Sequence, residues 1–181
     1  MELQQALSTI REIPDFPIPG VLFRDITTML SNPQAFSTVI SALSETADSY
    51  DVVAGIEARG FILGAALAQK KGIGFVPLRK KGKLPYSTHS RSYGLEYGSD
   101  EIEIHTDAVQ SGQNVLLIDD VLATGGTLLA GLHLIRDCGG EVSDVAVLLE
   151  IVAALPSNVT AVTADIFVPV IVTVIPPAVL P

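Results

Sequence analysis

The chain has 181 residues, with 11 Lys and Arg against 20 Asp and Glu, a formal net charge of -9, and 48% of it is hydrophobic. That length suits one domain, and so acidic a balance excludes a sequence-independent nucleic-acid binder, which needs clustered Lys and Arg to neutralise phosphates. The single cysteine, Cys138, can build neither an internal disulfide nor a multi-thiolate metal site, which fits a reducing cytoplasm; beside Gly139 it reads as a small buried hydrophobe.

In chain order, Glu2, Arg11, Glu12, Asp15, Arg24 and Asp25 interrupt the apolar positions of the first 25 residues, so no export signal is expected. Asn32-Pro33 supplies an N-cap and a first-turn proline, and Phe36, Val39, Ile40, Leu43 and Ala47 recur at helical spacing up to Tyr50. Val52-Val53-Ala54-Gly55-Ile56 is a short apolar run of buried-strand type; a helical stretch over 61–68 follows and closes at Lys70-Lys71-Gly72. Phe75-Val76-Pro77-Leu78 reads as an edge-like strand because of its proline. Residues 79–100 change character, with a basic Arg79-Lys80-Lys81-Gly82-Lys83 and a polar stretch over 87–92, and read as a mobile surface loop.

Glu101-Ile102-Glu103-Ile104-His105 alternates as a half-exposed strand does. Val115-Leu116-Leu117-Ile118 is a buried strand, 127–138 a helix closed by Gly139-Gly140, and Val145-Ala146-Val147-Leu148-Leu149 another buried strand. Beyond Glu150 the only charged residue is Asp165, and Pro169, Pro176 and Pro177 break the run too often for a spanning helix, so 151–181 reads as buried or interfacial strand and no membrane is expected. Unbroken Val, Ile and Leu strands alternating with helices indicate an α/β fold around a mainly parallel sheet flanked by helices. Such sheets place ligands outside the carboxyl ends of their strands, here after Ile56, Leu78 and Ile118.

The chemistry concentrates after the third of these. Asp119-Asp120-Val121-Leu122-Ala123-Thr124-Gly125-Gly126-Thr127 leads straight into a helix. Its Thr- and Gly-rich turn, Ala123 to Thr127, can present backbone N-H groups and the Thr124 and Thr127 hydroxyls to a phosphate at the helix N-terminus, with Gly125 and Gly126 allowing close approach. Asp119 and Asp120 can accept hydrogen bonds from vicinal sugar hydroxyls, or hold a hydrated cation through water. Phosphate and diol side by side describe a ribose 5-phosphate. An ordinary βα turn with an acidic cap would explain one Asp or one Thr-Gly pair, not the whole string. Neither G-x-x-x-x-G-K-[ST] nor G-x-G-x-x-G occurs. His89, His105 and His133 are widely spaced and suggest no metal cluster, and the sequon pattern Asn158-Val159-Thr160 has no meaning in a cytosolic protein.

The string resembles the phosphoribosyl-diphosphate-binding signature of the type I phosphoribosyltransferases. Pro19-Gly20-Val21-Leu22-Phe23-Arg24-Asp25-Ile26, Glu57-Ala58-Arg59-Gly60-Phe61, Arg79-Lys80-Lys81-Gly82-Lys83-Leu84-Pro85 and Leu95-Glu96-Tyr97-Gly98 are similar, in the same order, to pieces of its adenine-specific members. The resemblance implies a single domain over 1–181, with a small base-binding hood over 1–32, a flexible catalytic loop over 79–105 and an apolar segment over 151–181 that departs from the family pattern. It implies transfer of phosphoribose from 5-phosphoribosyl 1-diphosphate to adenine, giving AMP and diphosphate in purine salvage, with Mg2+ held mainly by substrate oxygens, by a cytoplasmic homodimer. Transfer to another nucleobase, or binding of the donor by a regulator without transfer, are the alternatives.

Such a displacement builds positive charge on the ribose and negative charge on the departing oxygens. Arg59, Lys80 and Lys83 can answer the second, Asp119 and Asp120 the first. By resemblance, the Glu57-Ala58-Arg59 turn contacts diphosphate through its backbone and often holds a non-proline cis peptide. Leu22 and Arg24 line the adenine pocket, with Phe23 stacked or packed nearby. Base recognition by backbone groups fits the absence of any Lys after Lys83. Glu96 can exchange a proton with a purine nitrogen when its loop closes, with Tyr97 excluding water, or be one more solvated loop carboxylate.

Overall fold

The computed structural model describes residues 1–45, 47, 49–95, 98–150 and 170–172. By its internal contacts the chain divides into two compact units, Met1–Glu45 and Thr46–Pro181. The first takes in the stretch expected as a hood together with the helix that follows it.

The N-terminal unit holds α1 (Leu3–Leu7), β1 (Arg11–Ile13), β2 (Phe23–Asp25), α2 (Thr27–Ser31) and α3 (Pro33–Glu45). β1 and β2 pair antiparallel, Glu12 opposite Arg24. Asn32 caps α3 as its residue type predicts: its Oδ1 accepts from the amides of Gln34 and Ala35, both at 3.1 Å. Ala35, Val39, Ile40 and Leu43 form the buried stripe. The helix is described to Glu45, and Ala47, Ser49 and Tyr50 lie outside it, so it falls short of the expected Tyr50.

The second unit is built on a seven-stranded sheet. Its strands are β3 (Val52–Ile56), β4 (Gly74–Lys80), β5 (Thr88–Leu95), β6 (Gly98–His105), β7 (Asn114–Leu122), β8 (Glu141–Glu150) and β9 (Val170–Val172), ordered β5-β6-β4-β3-β7-β8-β9. β3 pairs parallel with β4 and β7, and β8 parallel with β7 and β9, whereas β6 runs antiparallel to β4 and β5. All five residues of β3 are buried, as an unbroken apolar run flanked by helices requires. β4 is not an edge strand, but β6 joins it only at Arg79 and Lys80, so Pro77 lies in the part that β3 alone flanks. Of the apolar C-terminal segment, Val170–Val172 is strand, and the rest lies outside the described residues together with the sequon at Asn158.

Two helices cover the sheet. α4 (Arg59–Lys71) closes at Lys70-Lys71-Gly72 as expected but starts two residues before Phe61, and α5 (Gly126–Asp137) begins one residue before its expected start. Leu128, Leu132, Leu134 and Ile135 of α5 join Ile56, Leu78, Leu117 and Val147 in one core; each such side chain contributes about 1.5–3 kcal/mol by leaving water. Cys138 packs against the edge of that core, with its thiol 3.5 Å from the His105 carbonyl and its pKa raised by burial, as a small hydrophobe should be.

Among its described residues, the segment expected as a loop is largely strand. Lys83 N–H donates to the Lys80 carbonyl at 3.2 Å across a tight turn, and β5 and β6 then form a hairpin in register from Thr88 opposite His105 to Leu95 opposite Gly98. β6 contains the alternating strand expected over 101–105, whereas β5, mostly polar along its length, escapes a periodicity reading and is held by cross-strand pairing. Glu96 and Tyr97, which join the two strands, lie outside the described residues.

Candidate active site

The parallel strands β3, β4 and β7 end side by side, and each hands its chain to a segment rich in functional groups. After β3 the Glu57–Ala58 peptide is cis, and α4 begins at Arg59. Glu57 N–H donates to the Leu78 carbonyl at 2.9 Å, which ties the turn to β4. Its carboxylate Oε2 accepts from Arg79 Nε at 3.2 Å and from Lys80 N at 3.0 Å. Burial alone would raise that carboxyl, but the Lys80 amide and the Arg79 guanidinium outweigh it and hold the pKa below its ordinary value. Glu57 is therefore an anion that fixes the end of β4.

That end is a basic turn. Arg79 Nη1 donates to the Lys83 carbonyl at 3.2 Å, and the Gly82 amide donates to the buried Glu103 at 2.9 Å. Lys81 pairs with Glu101 at 2.7 Å, and Lys80 with Asp100. The Tyr93 hydroxyl donates to the same Asp100 Oδ2 at 3.1 Å. Donating to the Asp100 carboxylate raises the Lys80 pKa, so its ammonium stays charged.

β7 supplies the acidic part. Asp120 is buried, and its Oδ2 lies 2.9 Å from Arg59 Nε without an aligned hydrogen bond. Asp119 Oδ1 accepts from the Asp120 amide at 2.8 Å. Burial and the neighbouring Asp120 charge push the Asp119 carboxyl up to about 8, and burial raises Asp120 against the pull of Arg59. Two carboxyls this close resist ionising together, and a cation bound between them would favour the charged form of both. Gly60 makes the approach of α4 to β7 possible: a Cβ there would sit 2.9 Å from the Ile118 carbonyl oxygen and 3.1 Å from Asp119 Oδ1.

The turn Ala123-Thr124-Gly125-Gly126-Thr127 follows. Gly125 adopts φ 79°, a conformation that favours glycine, and its carbonyl accepts from Leu129 N at 2.9 Å to open α5. The first turn of a helix leaves its amides without carbonyl partners, so this turn can hold an anion. Ala123 and Thr124 are exposed and Thr127 half-buried, which leaves their groups accessible. Tyr93 and Gly94 of β5 lie against it, the Gly94 carbonyl oxygen 3.3 Å from where a Cβ on Gly126 would be. Cations at the β3 and β4 ends, a carboxylate pair and an anion-holding turn together suit a phosphorylated, diphosphate-bearing sugar.

A family model for the phosphoribosyl transferase domain matches residues 25–168. An adenine phosphoribosyltransferase of Parvibaculum lavamentivorans is 56% identical over 144 residues, covering 78% of this chain and 82% of that one. The chain belongs to the adenine phosphoribosyltransferase family. A crystal structure of adenine phosphoribosyltransferase from Thermoanaerobacter pseudethanolicus superposes with a TM-score of 0.86 at 42% identity, covering 95% of this chain and 98% of that one. APRTase from Giardia lamblia, complexed with 9-deazaadenine, does so with a TM-score of 0.86 at 37% identity, covering 96% and 97%.

Among the family's expected site residues, the second unit gathers Glu57, Ala58, Arg59, Lys80, Lys83, Asp119, Asp120 and the turn 123–127 at adjoining strand ends. Glu96 and Tyr97 fall outside the described residues. Leu22, Phe23 and Arg24 sit at β2 of the N-terminal unit. There Arg24 is buried, with Nη2 3.5 Å from Glu12 Oε1, and Phe23 packs edge-on to Phe16 with ring centroids 5.2 Å apart. Arg79, Tyr93 and Asp100 belong to the same network as Lys80 and were missed. Only the hairpin register, which sets Tyr93 opposite Asp100, brings the last two to it. Among the described residues no group of three or more His, Cys, Asp or Glu could cage a metal, and no helix is long and apolar enough to cross a membrane.

Proposed function

We propose that the chain transfers the 5-phosphoribosyl group of 5-phosphoribosyl 1-diphosphate to adenine, forming AMP and diphosphate. The observation that carries this is the Asp119-Asp120 pair, half-buried and buried, running without interruption into the glycine turn that opens α5. The 5-phosphate sits on the amides and hydroxyls of Ala123, Thr124, Gly125, Gly126 and Thr127, where the helix dipole favours an anion. The ribose hydroxyls then meet Asp119 and Asp120. The diphosphate meets Arg59, Lys80, Lys83 and the backbone of Glu57-Ala58. As the bond at the anomeric carbon lengthens, the carboxylates stabilise the cationic sugar and the basic groups the departing oxygens.

Two hard oxygen-bearing side chains are too few for an all-protein cage but suit a Mg2+ that keeps waters and substrate oxygens in its shell, and the poorly satisfied Asp120 Oδ2 fits such a role. When bound, Mg2+ neutralises diphosphate charge. Leu22, Phe23 and Arg24 hold the base, Glu96 takes the proton lost from the purine nitrogen, and Tyr97 keeps water out. The working form is a homodimer in the cytoplasm. The test is to incubate purified protein with donor, Mg2+ and a panel of nucleobases and identify the products. AMP from adenine is expected; nucleotide from hypoxanthine but not adenine would refute the adenine assignment, and tight donor binding without turnover would point to a regulator.

A further inference from the structure

Lys80 projects from the end of β4, and a lysine side chain there has many rotamers to lose before it can meet a diphosphate. Its ammonium is nevertheless already held by Asp100. That carboxylate is itself fixed at three points: Oδ2 accepts from Lys80 Nζ and, at 3.1 Å, from the Tyr93 hydroxyl, and Oδ1 accepts from the Glu101 amide at 2.9 Å. Tyr93 stands on the glycine turn, its Cβ 3.9 Å from the position of a Cβ on Gly126. The hairpin is further clamped to α5, Arg91 Nε and Nη2 reaching Asp137 at 2.9 and 2.8 Å. Half of the Lys80 side chain remains exposed, at 52%, against 25% for Asp100. An ammonium has three donors, so Lys80 can keep Asp100 and still donate to an anion in front of it.

The geometry points to Asp100 as a positioning residue for donor binding: it orients the Lys80 ammonium toward the diphosphate and, through Tyr93, ties that orientation to the phosphate-holding turn. This rests on the proposed role of Lys80 at the diphosphate. The lysine is pre-set in its binding rotamer, so its ordering cost is met on folding and not on substrate binding. Removing Asp100 frees the ammonium to sample solvent and weakens donor binding while leaving base binding and the chemical step alone.

The test measures calorimetric binding of 5-phosphoribosyl 1-diphosphate with Mg2+, alongside steady-state kinetics, for wild type, Asp100→Ala, Asp100→Asn, Lys80→Met and the Lys80→Met/Asp100→Ala double variant. Asp100→Ala is expected to weaken donor Kd and raise donor KM roughly five- to tenfold, the range of a coupled neighbouring pair, with adenine KM and kcat at saturation changed by less than about twofold. Asp100→Asn keeps an acceptor for Lys80 and Tyr93 and recovers part of the loss; should the alanine variant fold poorly, the asparagine variant decides, with a smaller change of the same sign. In the Lys80→Met background Asp100→Ala adds less than about twofold. An unchanged or tighter donor Kd in Asp100→Ala would overturn the assignment, as would an equal loss with Lys80 already gone, which would mean that Asp100 only braces the hairpin. Donor binding is read independently of turnover, so failure of the wild type to form AMP would refute the functional reading and not this one.

Discussion

Replacing Gly60 by alanine isolates the contact on which the acidic site depends. Alanine in a helix ordinarily gains about 0.5–1 kcal/mol over glycine. Here its Cβ would meet the Ile118 carbonyl oxygen at 2.9 Å and Asp119 Oδ1 and Cα at 3.1 and 3.2 Å. The first and last of these are backbone of a strand enclosed between β3 and β8, so they cannot yield as the end of a side chain would. Overpacking of this kind costs about 1–3 kcal/mol, which leaves a net loss of up to about 2.5 kcal/mol. For a chain of this size that corresponds to a fall in Tm of up to roughly 10 °C. α4 must also tilt away from β7 and take Arg59 with it, away from Asp120, so donor KM rises. Gly64→Ala provides the contrast, because its Cβ would meet side chains, the Phe75 ring at 2.8 Å and Ile118 Cγ2 at 2.9 Å. It should lower Tm with donor KM unchanged. Scanning calorimetry and donor-dependent kinetics read both. A Gly60→Ala protein at least as stable as wild type, with the same donor KM, would show that helix propensity outweighs the contact and refute the reasoning.

Three further outcomes follow from the same contacts. Asp120→Asn removes the charge opposite Arg59 at 2.9 Å and the anion proposed to face the ribose; kcat/KM should fall at least about tenfold, and an unchanged value would remove Asp120 from the chemistry. Asp119 has its carboxyl pushed up to about 8, so between about pH 4 and 8 the folded chain holds a proton that the unfolded chain has lost. Stability must then fall as pH rises through that window; Asp119→Asn should flatten the slope, and parallel Tm curves from pH 5 to 8.5 would contradict it. Asn32→Ala removes the acceptor of two α3 amides at 3.1 Å and should cost about 1 kcal/mol in thermal unfolding, with donor KM untouched.

What could be read in the sequence was whatever depends on local pattern. The buried strands β3, β7 and β8 announce themselves as unbroken apolar runs, the Asn32-Pro33 start of α3 by residue type, and the turn 123–127 by a string with few other uses. β5 escaped because it owes its existence to a partner strand, and pairing across a turn leaves no periodicity in a run that is mostly polar along its length. Asp100 and Tyr93 escaped with it. Seven residues apart, they become neighbours only when Tyr93 is set opposite Asp100, and neither type signals a site by itself.

The ion pairs resolve how a chain of net charge -9 can be built for an anionic donor. Three of the cations at the strand ends already face a carboxylate: Arg59 with Asp120, Arg79 with Glu57 and Lys80 with Asp100. The most exposed of the three, Lys80 with Asp100, adds only about 0–1 kcal/mol to stability, too little to explain it as a brace. The three pairs also cancel most of the long-range field, so nothing here attracts a polyanion from a distance. What they retain is direction, since each cation is held at a set place with donors still to offer. Affinity for a small triply or more highly charged ligand then comes from aligned short-range hydrogen bonds, which salt screens far less than it screens a diffuse basic surface. Donor KM should therefore rise only shallowly with ionic strength in wild type. In Asp100→Ala, where the Lys80 ammonium acts as an unheld charge, the rise should be steeper, and equal slopes in the two proteins would mean that the pairing does not direct the site.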